Sequence, residues 1–123
     1  MLLVIGATSE QLASLQRERQ ELLGMGVVPV AVVDARTNTV RRQIDKLGLT
    51  YPVIADPRRL IAAQFNSLEP NSRAAMPAWF VVDQKGRVRD LNRFEWPARE
   101  WAAIASTALG LPRSEEPRPA STR

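Results

Sequence analysis

The side chains with chemistry to offer in this chain are hydroxyls, carboxylates, a single tyrosine, two lysines and fifteen arginines. Its 123 residues include no cysteine and no histidine. Without a thiol there is no disulfide, thiolate nucleophile, iron–sulfur cluster or cysteine zinc site. Without an imidazole there is no Ser-His-Asp triad, and the commonest metal ligand and general base are missing. Thr8 and Ser9 stand where a helical pattern begins, so their hydroxyls can cap that helix or join its free N–H groups around a small anion. Capping explains them without a ligand, and neither hydroxyl has a base to make it a nucleophile. Asp34, Asp56, Asp83 and Asp90 are widely separated in the chain. Asp56 precedes Pro57 as a cap and Asp83 opens the turn Asp-Gln-Lys-Gly, so both have local duties already. Val-Ile-Gly-Ala-Thr-Ser, followed by Asp34, has the outline of a dinucleotide-binding start, but after Gly6 the next glycine is Gly24, and the glycine triad such a loop requires is missing. These residues assign no catalytic, cofactor-binding or metal role, and no cofactor.

Charge gives little more. Seventeen basic against thirteen acidic residues leave a net charge of +4, with the arginines spread over the whole chain. A scattered, solvated distribution lacks the concentrated basic face that phosphate backbones select, so the reading is against nucleic acid. The apolar run 2–7 has no basic flank or cleavage site, and no stretch approaches the ~20 apolar residues of a membrane span. The expectation is a cytoplasmic protein with no membrane association.

The elements that must position these residues can be read from periodicity and punctuation. Residues 2–5 form a short apolar strand closed by Gly6, and Thr8-Ser9-Glu10-Gln11 supplies a capping box for the next helix. That helix turns Leu12, Leu15, Leu22 and Leu23 inward and stops at Gly24 and Gly26. Residues 27–33 are a continuous β-branched run, as in a strand covered on both faces, with Pro29 tolerable near its start. A second helix takes Thr37 or Thr39 as cap, places Val40, Ile44 and Leu47 on one face and ends at Gly48. Residues 51–55 are a short strand. Asp56 as cap and Pro57 as first helical residue restart a helix that turns Leu60, Ile61 and Phe65 inward. Residues 66–75 are a polar loop, Ala78–Val82 a strand, and 87–93 its hairpin partner across the turn. Pro97 opens a last helix with Trp101, Ile104, Ala105 and Ala108 on one face, ended by Gly110. The tryptophans Trp79, Trp96 and Trp101 read as core aromatics. The predicted domain is 1–110, followed by a disordered tail, 111–123, that has nothing to bury. The order β-α-β-α-β-α-β-β-α joins parallel crossovers to a closing antiparallel hairpin, an α/β class with a central mixed sheet between helical layers.

This order, with Met76-Pro77 directly before a strand, resembles the thioredoxin-like fold. The segment Tyr-Pro-Val-Ile-Ala-Asp-Pro, a helix ending in Phe65, and then Ala-Met-Pro-Ala-Trp-Phe-Val-Val-Asp-Gln-Lys-Gly-Arg-Val-Arg is similar in wording and order to the redoxin branch, the AhpC/TSA (peroxiredoxin-like) family. The likeness spans about residues 2–109. It implies a three-layer α/β/α domain, a cis Met76–Pro77 bond, and relatives that are thiol-dependent peroxidases and thiol–disulfide oxidoreductases. It also implies where the chain departs from them. The family's redox cysteine lies in the loop between first strand and first helix, here only Gly6-Ala7-Thr8-Ser9, so the cysteine-bearing turn is deleted rather than substituted. The arginine that pairs with the thiolate is replaced by Pro77, and the family's leading strands have no counterpart ahead of Leu2. The expectation is a cysteine-less, redox-inactive member that acts as a binding or structural module, with Thr8, Ser9, Met76 and Pro77 as ligand or peptide contacts. The alternative is an oxidoreductase domain that works with partner thiols, or a truncated form of one. A protein partner or self-association through an open sheet edge is the interaction expected.

Overall fold

The structure, a computed structural model, describes residues 1–97 and 99–112. Its elements are β1 (Leu2–Ile5), α1 (Ser9–Gly24), β2 (Pro29–Val33), α2 (Thr37–Leu47), β3 (Val53–Ala55), α3 (Leu60–Gln64), β4 (Ala78–Val82), β5 (Val88–Arg93) and α4 (Trp101–Leu109). The expected order β-α-β-α-β-α-β-β-α is the order found. The five strands form one sheet in the order β3-β2-β1-β4-β5. β1, β2 and β3 run parallel, while β4 is antiparallel to β1 and to β5. Pro29 is the first residue of β2, where its missing N–H costs the ladder nothing.

Alternation along the strands divides the core between two faces. Leu2, Val4, Ala31, Val33, Trp79 and Val81 face α1, α2 and α4, meeting Leu12, Leu15, Val40, Trp101 and Ile104. Leu3, Ile5, Val32, Ala78 and Phe80 form the other face, covered by Ala62 of α3 with Ile61, Phe65 and Leu68. The first cluster is the larger, because three helices cover that face and a single five-residue helix covers the other. On the smaller face Arg93 lies over the Phe80 ring at 5.4 Å and donates to the Phe65 carbonyl at 2.9 Å. On the larger face Trp101 packs edge-on against both Trp79 and Trp96, each at 6.2 Å. The tryptophans are packing residues, as expected.

The starts of α2, α3 and α4 depart from the local signals. α2 begins after Arg36 with no side-chain cap, so neither Thr37 nor Thr39 serves as one. α3 begins at Leu60, three residues beyond Pro57, yet Asp56 still caps it: its buried carboxylate accepts from the N–H groups of Leu60, Ile61 and Ala62 at 2.9–3.2 Å. Leu60 is exposed, as is Leu23 at the end of α1. α4 starts at Trp101 rather than Pro97, because Glu18 of α1 reaches across to accept from the Trp101 and Ala102 N–H groups at 3.0 and 2.8 Å. Leu111 packs on the core and donates its N–H to the Ser106 carbonyl. The remainder of the tail expected from the sequence, residues 113–123, lies outside the described residues.

Candidate functional site

The loop after β1 turns toward the α1 face, and the chain enters β4 from the α3 face, so the two meet at one end of the sheet. In open α/β sheets such a reversal at the strand ends is where ligands bind. Here the two segments touch. Gly6 has φ +71°, and a Cβ placed on it would stand 2.8 Å from the Met76 carbonyl oxygen and 3.3 Å from the Pro77 nitrogen. Only a residue without a side chain can pass this close in the left-handed region.

All four sequence-predicted contacts fall at this end, with different standing. Thr8 is exposed and is the N-cap of α1, its Oγ accepting from the Gln11 N–H at 3.3 Å. Ser9 is exposed, and its Oγ accepts from Gln43 Nε2 at 3.4 Å. Met76 is buried and Pro77 half-buried. An extended peptide would need free main-chain groups at the bend. Instead the Met76 N–H donates to the Ser67 carbonyl at 2.9 Å, and the Pro77 carbonyl accepts from the Phe94 N–H at 2.7 Å. No described residue follows a cis peptide bond, so the Met76–Pro77 bond is trans and the expected cis bond is corrected. Trans is the lower-energy form of an X-Pro bond by about 0.5–1 kcal/mol, and the loop 66–75 meets the bend with its hydrogen bonds made in that form.

Sequence reasoning missed the polar cluster beside this bend. Asp34, at the end of β2, accepts from Arg59 Nε at 3.0 and 3.1 Å and from the Ala75 N–H at 3.2 Å. It therefore ties the α3 entry and the β4 entry to the end of β2. An arginine in the first turn of a helix opposes the helix dipole. Arg59 escapes that conflict because it lies ahead of α3 in the left-handed region, φ +56°, with its guanidinium on Asp34. The adjacent pair Arg58-Arg59 ahead of an apolar turn was the only signal in the sequence. Asp34, occupied this way, leaves no ribose ligand. Below the loop, Tyr51 is buried and donates its hydroxyl to the Leu12 carbonyl at 2.7 Å. Burial raises its pKa far above the usual tyrosine value, so it stays neutral.

The site thus holds hydroxyls, a closed backbone contact and an internally satisfied ion pair. It can cap, tie and present side chains, and it contains no thiol. Among the described residues, no helix is long and apolar enough to cross a membrane.

Comparison with known proteins places the arrangement. Among solved structures, Enterococcus faecalis AhpC is similar over 89% of this chain and 73% of its own, with a TM-score of 0.73 and 18% identity. Xanthomonas campestris peroxiredoxin Q matches over 89% and 78%, with a TM-score of 0.75 and 15% identity. The peroxidoxin BcpB of Mycobacterium tuberculosis matches over 89% and 76%, at 0.69 and 18%. At such identities the likeness is one of fold. No curated protein matches the sequence. The AhpC/TSA family model matches residues 6–91, from the closed glycine loop into β5. With that match over most of the chain and the thioredoxin-like sheet beneath it, the protein belongs to the AhpC/TSA family, as a member without cysteine.

Proposed function

We propose that this protein is a redox-inactive member of its family that acts as a binding or structural module. The carrying observation is the closed β1–α1 connection: a chain without cysteine whose three-residue loop, Gly6-Ala7-Thr8, passes against Met76 at Gly6. A thiolate at a helix N-terminus needs a sulfur beside the free N–H groups, and here that position holds the Thr8 and Ser9 hydroxyls, with Thr8 capping α1, and no thiol. The surface left for a partner is formed by the side chains of Thr8, Ser9 and Pro77 rather than by a free backbone edge, with Met76 buried beneath.

A peroxide-consumption assay with dithiothreitol or thioredoxin as reductant is expected to give no turnover above buffer. Turnover clearly above buffer ends the proposal. The variant Ser9→Cys is expected to remain inactive as well. Activity gained by that one substitution would show that only the thiol, and not its turn, is missing.

A further inference from the structure

At the opposite end of the sheet from Gly6 and Met76, a cavity of about 430 Å³ opens between the β4–β5 turn and the C-terminal ends of α1 and α4. That volume lies in the range of small-molecule sites. Its walls divide by chemistry. Met25, Leu109 and Leu111 make an aliphatic and thioether side, while Lys85, Arg87 and Arg89 stand on the turn side. No aromatic residue lines it, so a flat base or ring has nothing to stack on, whereas an alkyl chain meets matching surface.

The charge on the turn side is unbalanced. Asp83 is the one acidic residue lining the cavity, and its carboxylate is already engaged by the Lys85 and Arg87 main-chain N–H groups, each at 2.9 Å, and by Arg89 Nη1 at 3.4 Å. These bonds hold its pKa below the usual carboxylate value, the Arg87 N–H contributing most, so it stays ionised and committed to the turn. The Lys85 ammonium and the Arg87 guanidinium are exposed and have no side-chain acceptor among the described residues. The partially negative ends of α1 and α4 disfavour an anion on the aliphatic side. An amphipathic anion therefore has one orientation here: head toward Lys85 and Arg87, tail against Leu109, Leu111 and Met25.

We propose that this cavity binds a single-headed aliphatic carboxylate of medium chain length, at a site remote from the family's reaction centre. The site is independent of whether the domain is redox-inactive, so peroxide turnover and ligand binding fail or succeed separately. The test is a calorimetric and NMR titration of the full chain with octanoate below its micellar concentration, beside octanol and octyl phosphate. Saturable octanoate binding with shifts at the Met25, Leu109 and Leu111 methyls is expected. The double variant Lys85→Gln, Arg87→Gln keeps the main-chain donors to Asp83 and is expected to bind about tenfold more weakly, as loss of charge-assisted hydrogen bonds implies. If that variant proves unfolded by circular dichroism, the salt dependence of octanoate binding to the unaltered chain takes its place, with weakening at higher ionic strength expected. Absence of saturable binding, octanol binding as tightly as octanoate, an unchanged affinity in the folded double variant, or no salt dependence overturns the proposal. Binding of octyl phosphate alone overturns the carboxylate assignment.

Discussion

Gly6 is the residue on which the closed site depends. A methyl group on it would be strained at φ +71° and would stand 2.8 Å from the Met76 carbonyl oxygen. Gly6→Ala is expected to destabilise the domain by about 2–5 kcal/mol, combining a side chain in the left-handed region with overpacking against backbone. Chemical denaturation measures this; a loss under 1 kcal/mol would mean that the two segments separate easily. Tyr51 makes a second prediction at this scale. Its folded pKa is raised above the unfolded value of 10.0, so its contribution is fully present below about pH 10 and is lost as pH rises toward the folded value. Stability should therefore fall by up to about 1.4 kcal/mol per pH unit above pH 10, and Tyr51→Phe should remove that slope. It is the chain's one tyrosine, so tyrosinate absorbance reports it directly. Ionisation at the ordinary value in the folded protein would refute the assignment. Residue-scale reading of the sequence succeeded for Thr8 and Asp56, whose bonds reach at most six positions along the chain. It failed for Arg59, whose partner Asp34 is 25 residues away.

At the scale of elements, the start of α4 shows what local signals omit. Pro97 and the apolar face of residues 101–108 announce a helix, but the first helical residue is set by Glu18, 83 and 84 residues earlier in the chain. Glu18→Ala should cost about 1–3 kcal/mol, since two N–H groups lose a charged acceptor. Glu18→Gln, which keeps a neutral acceptor, should cost less. The measurement is thermal or urea unfolding, read together with hydrogen exchange of the Trp101 and Ala102 amides. Unchanged protection in Glu18→Ala would show that the cap is dispensable. The strands were more legible than the helix starts. A run such as Ala78–Val82, apolar on both faces, belongs inside a sheet whatever its partners are, and its residues 78–81 are buried on both sides.

At the scale of the molecule, the sheet order leaves β3 and β5 as its edges among the described residues. β3 is only three residues long, while β5 is longer and carries exposed Val88 and Leu91. Arg89 and Asp90 in β5, together with a ladder irregularity at Val81/Val82, blunt that edge. The expected outcome is weak, concentration-dependent association seen by light scattering and reduced by Leu91→Lys. A monomer at every concentration would count against an edge available for pairing. By itself the sequence determined the composition-level exclusions, the order of nine elements and the absence of the family's thiol, because residue type, period and punctuation are local properties of the chain. Tertiary structure alone decided that Gly6 closes on Met76, that Asp34 is spent on Arg59 and Ala75, that Glu18 starts α4, and that three cations gather beside an aliphatic cavity. Each of these is a meeting of segments far apart in the chain, and such meetings follow from strand order and crossover direction rather than from any local pattern of side chains.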